Sequence, residues 1–231
     1  ATHMDADRVS QTYGDLTRST GAFSRVFRLF RQVTCCSFSV GLWSSDVPLM
    51  PIKYKTWVSK RLHLFYHTRT RNFGAKSTPY RNAPINLTIA NSSIGLDIPA
   101  EQWLEDITSS KFCLIVRGDT PHSHALLRAV RVGCMPVIVS DLYSRFAPTL
   151  PSTLDLTDFC IIVKERAYMN DTKSILVGLG ELDESYLRNK TENLAWAQRV
   201  IFPDYEDSLF VPAFFREAST ARVAQAKRIE N

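Results

Sequence analysis

The sequence predicts an α/β protein, a Rossmann-like parallel sheet with helices on both faces. Three observations predict it. Short apolar runs of strand length alternate with longer stretches of helical periodicity. The run from Ser110 to Asp141 reads as strand, turn, helix, turn, strand, which is one βαβ unit. The 231 residues are 45% hydrophobic and 22% charged, enough to bury a sizeable core and too apolar for a disordered chain.

The elements follow in chain order. Residues 1–20 are polar and read as a loose start. From Gly21 to Val33, the residues Phe23, Val26, Phe27, Phe30 and Val33 repeat at helical spacing opposite Arg25, Arg28 and Arg31. A helix packed on its own protein is the plainer reading, and a membrane-surface or partner helix is the other. Pro48 and Pro51 make Ser44–Pro51 a stiff hinge. Leu62–Tyr66 is the first strand. Thr68–Pro84 is a basic, turn-rich loop carrying Arg69, Arg71, Lys76 and Arg81, and Ile85–Ala90 is a second strand. Pro99–Ile107 is a short helix with Trp103, Leu104 and Ile107 apolar.

In the βαβ unit, Lys111–Val116 is a strand buried on both faces. Arg117–Pro121 is a turn in which Thr120 suits the N-cap and Pro121 the first helical position. Leu126, Leu127 and Val130 give the helix its apolar face, Gly133 stops it, and Met135–Val139 is the next strand. Phe159–Val163 is a further strand ending at Lys164-Glu165. Helices are expected near Thr172–Leu179 and Leu182–Val200. The stretch from Ser208 to Ile229 is helical in pattern, with Pro212 interrupting it. There is no internal repeat and no low-complexity tract.

Net charge is +5 and the isoelectric point is near 9.0. That suits an anionic ligand, nucleic acid or an acidic glycan, or it reflects a solvated basic face. No stripe interleaves basic and aromatic residues, so nucleic acid is not an expected partner. No run approaches the ~20 apolar residues that span a bilayer, and the start lacks a signal-peptide pattern. None of the five cysteines shows C-x-x-C spacing. Cys113, Cys134 and Cys160 fall in or beside strands and read as buried thiols, with a Cys113–Cys134 bridge possible but not inferable. The four sequons at Asn86, Asn91, Asn170 and Asn189 lean towards a secretory lumen. No cluster suggests zinc, and Asp5-Ala-Asp7 reads as chance.

In a doubly wound sheet, ligands bind beyond the carboxyl ends of the strands. Arg81, Arg117-Gly118-Asp119, Asp141 and Glu165 follow four of those ends, so they should share one rim. A helix start beside Arg117 and Gly118 suits an anion such as a diphosphate. Arg117 would stabilise charge on a leaving diphosphate, or else close a turn at the surface. Ser123 would donate to phosphate or simply cap its helix. Arg81 would face the same cleft or stand solvated in its loop. Glu165 would accept ribose hydroxyls, or be a charge at a strand end. Asp141 would contact that ligand or cap a turn.

Ser109-Ser-Lys-Phe-Cys-Leu114, Arg117-Gly-Asp119, Ser123 and Gly133-Cys-Met-Pro-Val-Ile-Val-Ser-Asp141 together resemble the exostosin family, glycosyltransferase family 47. Ser44–Pro51 resembles the segment by which family members leave their first domain. The resemblance implies two facing Rossmann-like domains, the glycosyltransferase B arrangement. Residues 1–51 would be a remnant of the first domain and its hinge, and residues 52–231 an essentially complete nucleotide-sugar-binding domain. It implies an enzyme that moves a sugar, with inversion, from a UDP-sugar to a glycan or glycoprotein acceptor. No further cofactor or metal is expected. A Golgi setting is implied, with a membrane anchor outside this chain. The implied donor-binding set is Arg81, Arg117, Gly118, Asp119, Ser123, His124, Asp141 and Glu165. No catalytic base is identified, since in this arrangement it commonly comes from the first domain. Three positions depart from the family pattern. His124 stands where many members have arginine, Arg128 where many have a carboxylate, and His67-Thr68 where a glycine is usual. The alternative reading is an inactive nucleotide- or glycan-binding domain that supports a partner transferase.

Overall fold

The computed structural model describes residues 47–68, 78–96, 98–117, 125–143 and 150–229, with the side chains of the last helix described as far as residue 220. Its elements in chain order are α1 Tyr54–Val58, β1 Leu62–His67, α2 Thr78–Asn82, β2 Ser92–Gly95, α3 Ala100–Ser109, β3 Ser110–Val116, α4 Ala125–Arg131, β4 Met135–Val139, α5 Leu156–Phe159, β5 Ile161–Val163, α6 Glu165–Asn170, α7 Thr172–Gly178, a 3-10 turn Leu179–Glu181, α8 Glu184–Ile201 and α9 Phe210–Ile229. The described residues up to Glu217 belong to one compact unit, which holds the sheet.

The five strands are all parallel, in the order β2-β1-β3-β4-β5. The chain steps outward from β1 to β2, then returns to the other side of β1 and continues through β3, β4 and β5. That reversal leaves a crevice beyond the carboxyl ends of β1 and β3, the place where such sheets bind ligands. β3 and β4 are apolar almost throughout because both of their faces are covered. Registry puts Leu64 beside Phe112 and Phe65 beside Cys113, so Phe65 and Phe112 lie on opposite faces. Trp103 of α3 packs edge-on against Phe65 at 5.9 Å, and Trp57 of α1 packs edge-on against Phe112 at 5.4 Å. Helices therefore cover both faces, as the apolar strands require.

The second strand is not Ile85–Ala90. Ile85 and Leu87 send their N–H groups to Asn82 O and Pro84 O, each at 3.1 Å, so this stretch is a chain of turns. Its alternating Ile85, Leu87 and Ile89 pack against the core without joining the sheet. Asn91 takes a left-handed φ of 54° and leads into β2. The loop before it contains a helix, α2. Asp155 accepts Thr157 N–H at 2.8 Å and starts α5, which absorbs Phe159 from the expected last strand. Pro212 does not interrupt α9. It is the third residue, in the first turn, where helical N–H groups have no intrahelical partner.

Cys113 and Cys134 are disulfide-bonded, not free thiols. Pairing of β3 with β4 places their Cα atoms 5.7 Å apart. Cys160 is a buried free thiol. Cys35 and Cys36, and the helix expected over Gly21–Val33, lie outside the described residues.

α4 ends as its glycine predicts. Gly133 has φ 62°, its N–H reaches Val130 O at 3.1 Å, and Cys134 N–H reaches Ala129 O at 2.9 Å. This is the Schellman arrangement. The tail of the proline-rich segment is bound into the sheet unit. Met50 N–H donates to Arg131 O at 2.9 Å, and Arg131 Nε donates to Val47 O at 2.8 Å. Buried Gln198 of α8 accepts Ile52 N–H at 3.1 Å and donates to Met50 O at 2.9 Å and Val130 O at 2.7 Å.

Candidate functional site

Four of the residues predicted from sequence meet at the carboxyl edge of the sheet. Tyr66, near the end of β1, donates its hydroxyl hydrogen to the carbonyl of Arg81 at 2.9 Å, which anchors α2 over the crevice. Arg81 Nε then donates to the carbonyl of Arg117 at 3.1 Å, spanning the gap where the strand order reverses. Arg117 follows β3, and its N–H extends the β3–β4 ladder by donating to Val139 O at 3.1 Å. Its main chain is therefore held on both sides, while its guanidinium reaches across β4.

That guanidinium meets Glu165. Arg117 Nη1 lies 3.3 Å from Oε1 and 3.2 Å from Oε2. Both side chains are well covered, at 18% and 12% exposure, so the pair is shielded from bulk water. Glu165 and Asp141 are joined twice. Asp141 N–H donates to Glu165 Oε1 at 3.1 Å, and Glu165 N–H donates to Asp141 Oδ1 at 3.3 Å. This places the end of β4 beside the start of α6 and fixes the Glu165 carboxylate. Lys164 Nζ stands 3.9 Å from Asp141 Oδ1 at the exposed lip.

Beneath the rim, Ser140 is buried and its hydroxyl has no hydrogen-bond partner among the described residues. Burial pushes the Tyr66 phenol well above its ordinary range, with nearby Arg81 acting in the opposite direction. Burial raises Tyr168 of α6 in the same way, and neighbouring Tyr66 adds to it. Both phenols therefore stay neutral; Tyr66 uses its hydrogen on the Arg81 carbonyl, whereas the buried Tyr168 hydroxyl has no partner among the described residues.

Gly118, Asp119, Ser123 and His124, together with the expected Thr120–Pro121 helix start, lie outside the described residues. The guanidinium of Arg117 points to Glu165, an arrangement the sequence did not suggest. Tyr66 and Lys164 were also missed, and Ser140 was placed with Asp141 at a strand end without a role of its own. Each is next to a strand end already singled out, so position alone could have found them. Arg128 sits over the Trp103 ring at 5.5 Å. It lines a cavity of about 70 Å³ with His67, Phe65, Cys113 and Ala125. Two departures from the exostosin pattern, at residues 67 and 128, thus border one space. Among the described residues no group of His, Cys, Asp and Glu is placed to hold a metal ion, and no helix is long and apolar enough to cross a membrane.

Residues 59–179 match the Exostosin GT47 domain, more than half of the chain. The chain belongs to the exostosin glycosyltransferase family. All four rim residues, and the sheet from β1 to β5, fall within the match. The chain is also similar to the "Exostosin-1 homolog" of Caenorhabditis elegans, 32% identical over 115 residues. That alignment covers 48% of this chain and 27% of the relative, so the chain spans about a quarter of that protein's length.

Proposed function

We propose that the rim built from Arg81, Arg117, Asp141 and Glu165 binds the nucleoside diphosphate of a UDP-sugar. The protein of which this domain is part then transfers the sugar, with inversion, to a glycan or glycoprotein acceptor. The observation that carries the reading is the position of the cluster. Arg81 spans the crevice between β1 and β3 to the carbonyl of Arg117, and the Arg117 guanidinium, Asp141 and Glu165 gather beside it beyond the carboxyl ends of β4 and β5, on the edge where parallel sheets bind ligands. As the bond between sugar and diphosphate breaks, negative charge grows on the diphosphate. A guanidinium on a covered rim can stabilise that charge. A carboxylate fixed 3.2 Å away is suited to the ribose hydroxyls.

A luminal setting fits the same reading. The cystine suits an oxidising compartment, and Asn86, Asn91, Asn170 and Asn189 are all exposed. The test is a panel of UDP-sugars incubated with the protein and a glycan acceptor, scored by UDP release and acceptor mass. Acceptor-dependent release from one donor supports transfer. The alternative reading is a domain that binds nucleotide or glycan and supports a partner transferase. The departures from the family pattern at His67 and Arg128, which line one cavity, favour it, and it predicts UDP binding with no release from any donor.

A further inference from the structure

We propose that Asn189 carries an N-linked glycan whose first sugars lie along α8 against Trp196. This rests on the luminal setting proposed above.

The sequon Asn189-Lys190-Thr191 stands inside α8, a helix of 18 residues, with Asn189 exposed. Asn193 Nδ2 donates to Asn189 Oδ1 at 3.1 Å, so the amide oxygen is engaged and Nδ2, the atom that takes the sugar, stands on the other side of the amide. A glycosylated amide keeps that oxygen as an acceptor, so the bond to Asn193 survives. Trp196 lies seven residues on, two turns along the same face and roughly 10 Å away. A helical side chain leans towards the helix N-terminus, which brings the Trp196 ring back towards Asn189. Arg199 stands over that ring at 5.5 Å, yet 43% of Trp196 remains exposed. The apolar C–H face of a sugar ring laid on the indole removes that area from water. The position also leaves the rim open. Asn193 donates to Asp158 O at 3.2 Å, which sets this part of α8 beside α5, the helix that enters β5 at its amino end.

The addition precedes folding. Thr191 is fully buried and its hydroxyl donates to Leu187 O at 2.8 Å, so the folded helix hides the hydroxyl that marks the sequon. On the extended chain, Asn189 Nδ2 bonds to C1 of an oligosaccharide carried on a lipid diphosphate, a co-reactant of the secretory lumen. The C1–O bond to the diphosphate breaks, the lipid diphosphate leaves with the electron pair, and one Nδ2 hydrogen is lost as a proton.

The test directs the whole chain into the secretory lumen of a eukaryotic cell behind a signal peptide. Peptide masses before and after enzymatic deglycosylation report which sequons are occupied, and Asn189 should be one of them. Thermal melts then compare the wild type, Asn189→Gln, Trp196→Ala and the double variant. Asn189→Gln should lower the midpoint by about 2–4 °C in a domain of this size, and by much less on the Trp196→Ala background. The same substitution in oxidised protein from bacteria, which bears no glycan, should leave the midpoint in place. Should Trp196→Ala fail to fold, Trp196→Leu, which keeps bulk without a flat face, replaces it. A glycan at Asn86, Asn91 or Asn170 with Asn189 bare overturns the proposal. Equal shifts on the two backgrounds, or an equal shift in the bacterial protein, overturn it as well. Secreted protein with no glycan at any of the four sites removes the luminal reading itself, an outcome distinct from the others.

Discussion

Gly133 shows how one residue fixes two elements. A side chain there would be forced into a left-handed conformation, and its Cβ would lie 2.8 Å from the Cβ of Ile52. Gly133→Ala is therefore expected to cost about 2–3 kcal/mol from combined backbone strain and overpacking, read as a lower urea midpoint. The glycine was legible as a helix stop, but its contact with Ile52 was not, because nothing in the letters says which distant residue approaches. Lys60 offers a pH test. Burial pushes its amine down to about 8, while it donates to Val132 O at 3.1 Å. A lysine whose folded-state value is depressed binds fewer protons folded than unfolded between about 8 and 10.5, so its contribution to stability rises with pH through that window. Lys60→Met should accordingly gain most over the wild type at pH 7, and the gap should narrow by pH 10 in paired denaturation curves. A gap that widens with pH would contradict this account of Lys60.

At the scale of elements, the βαβ unit is stapled. The cystine joins β3 to the residue before β4 across 21 positions. A loop of that length is worth about 3 kcal/mol in the chain-entropy account. Thermal melts with and without reductant should differ accordingly, and Cys113→Ser with Cys134→Ser should reproduce the reduced melt. The sequence left this bridge undecided because cysteines in strands serve equally well as small apolar side chains. The expected strand Ile85–Ala90 failed for a related reason. Ile85, Leu87 and Ile89 alternate as in a strand, yet Pro84 and local N–H bonds turn that stretch, and its apolar groups pack from outside the sheet. β1, β3 and β4 were legible because a strand buried on both faces has little choice but to be apolar throughout. The segment from Val47 to Ile52 is clasped by Arg131 and Gln198. Gln198→Leu would leave Ile52 N–H and two carbonyls without that amide, and about 2–4 kcal/mol should be lost. Faster proteolysis ahead of α1 would report the same opening.

For the molecule as a whole, the order β2-β1-β3-β4-β5 leaves a crevice beyond the carboxyl ends of β1 and β3, and Arg81, Arg117, Asp141 and Glu165 gather along that edge of the sheet. The rim was legible as a set of strand ends. The partners within it were not, since Arg117 and Glu165 are far apart in sequence and only the closing of β4 onto β5 brings them together. The central claim is that this rim holds a nucleoside diphosphate. Calorimetric titration of UDP into the wild-type protein and into Arg117→Ala tests it most directly. The account predicts saturable binding to the wild type and a loss of roughly tenfold or more in the variant, the worth of a charged hydrogen bond. No binding to the wild type, or equal binding to both proteins, would contradict it.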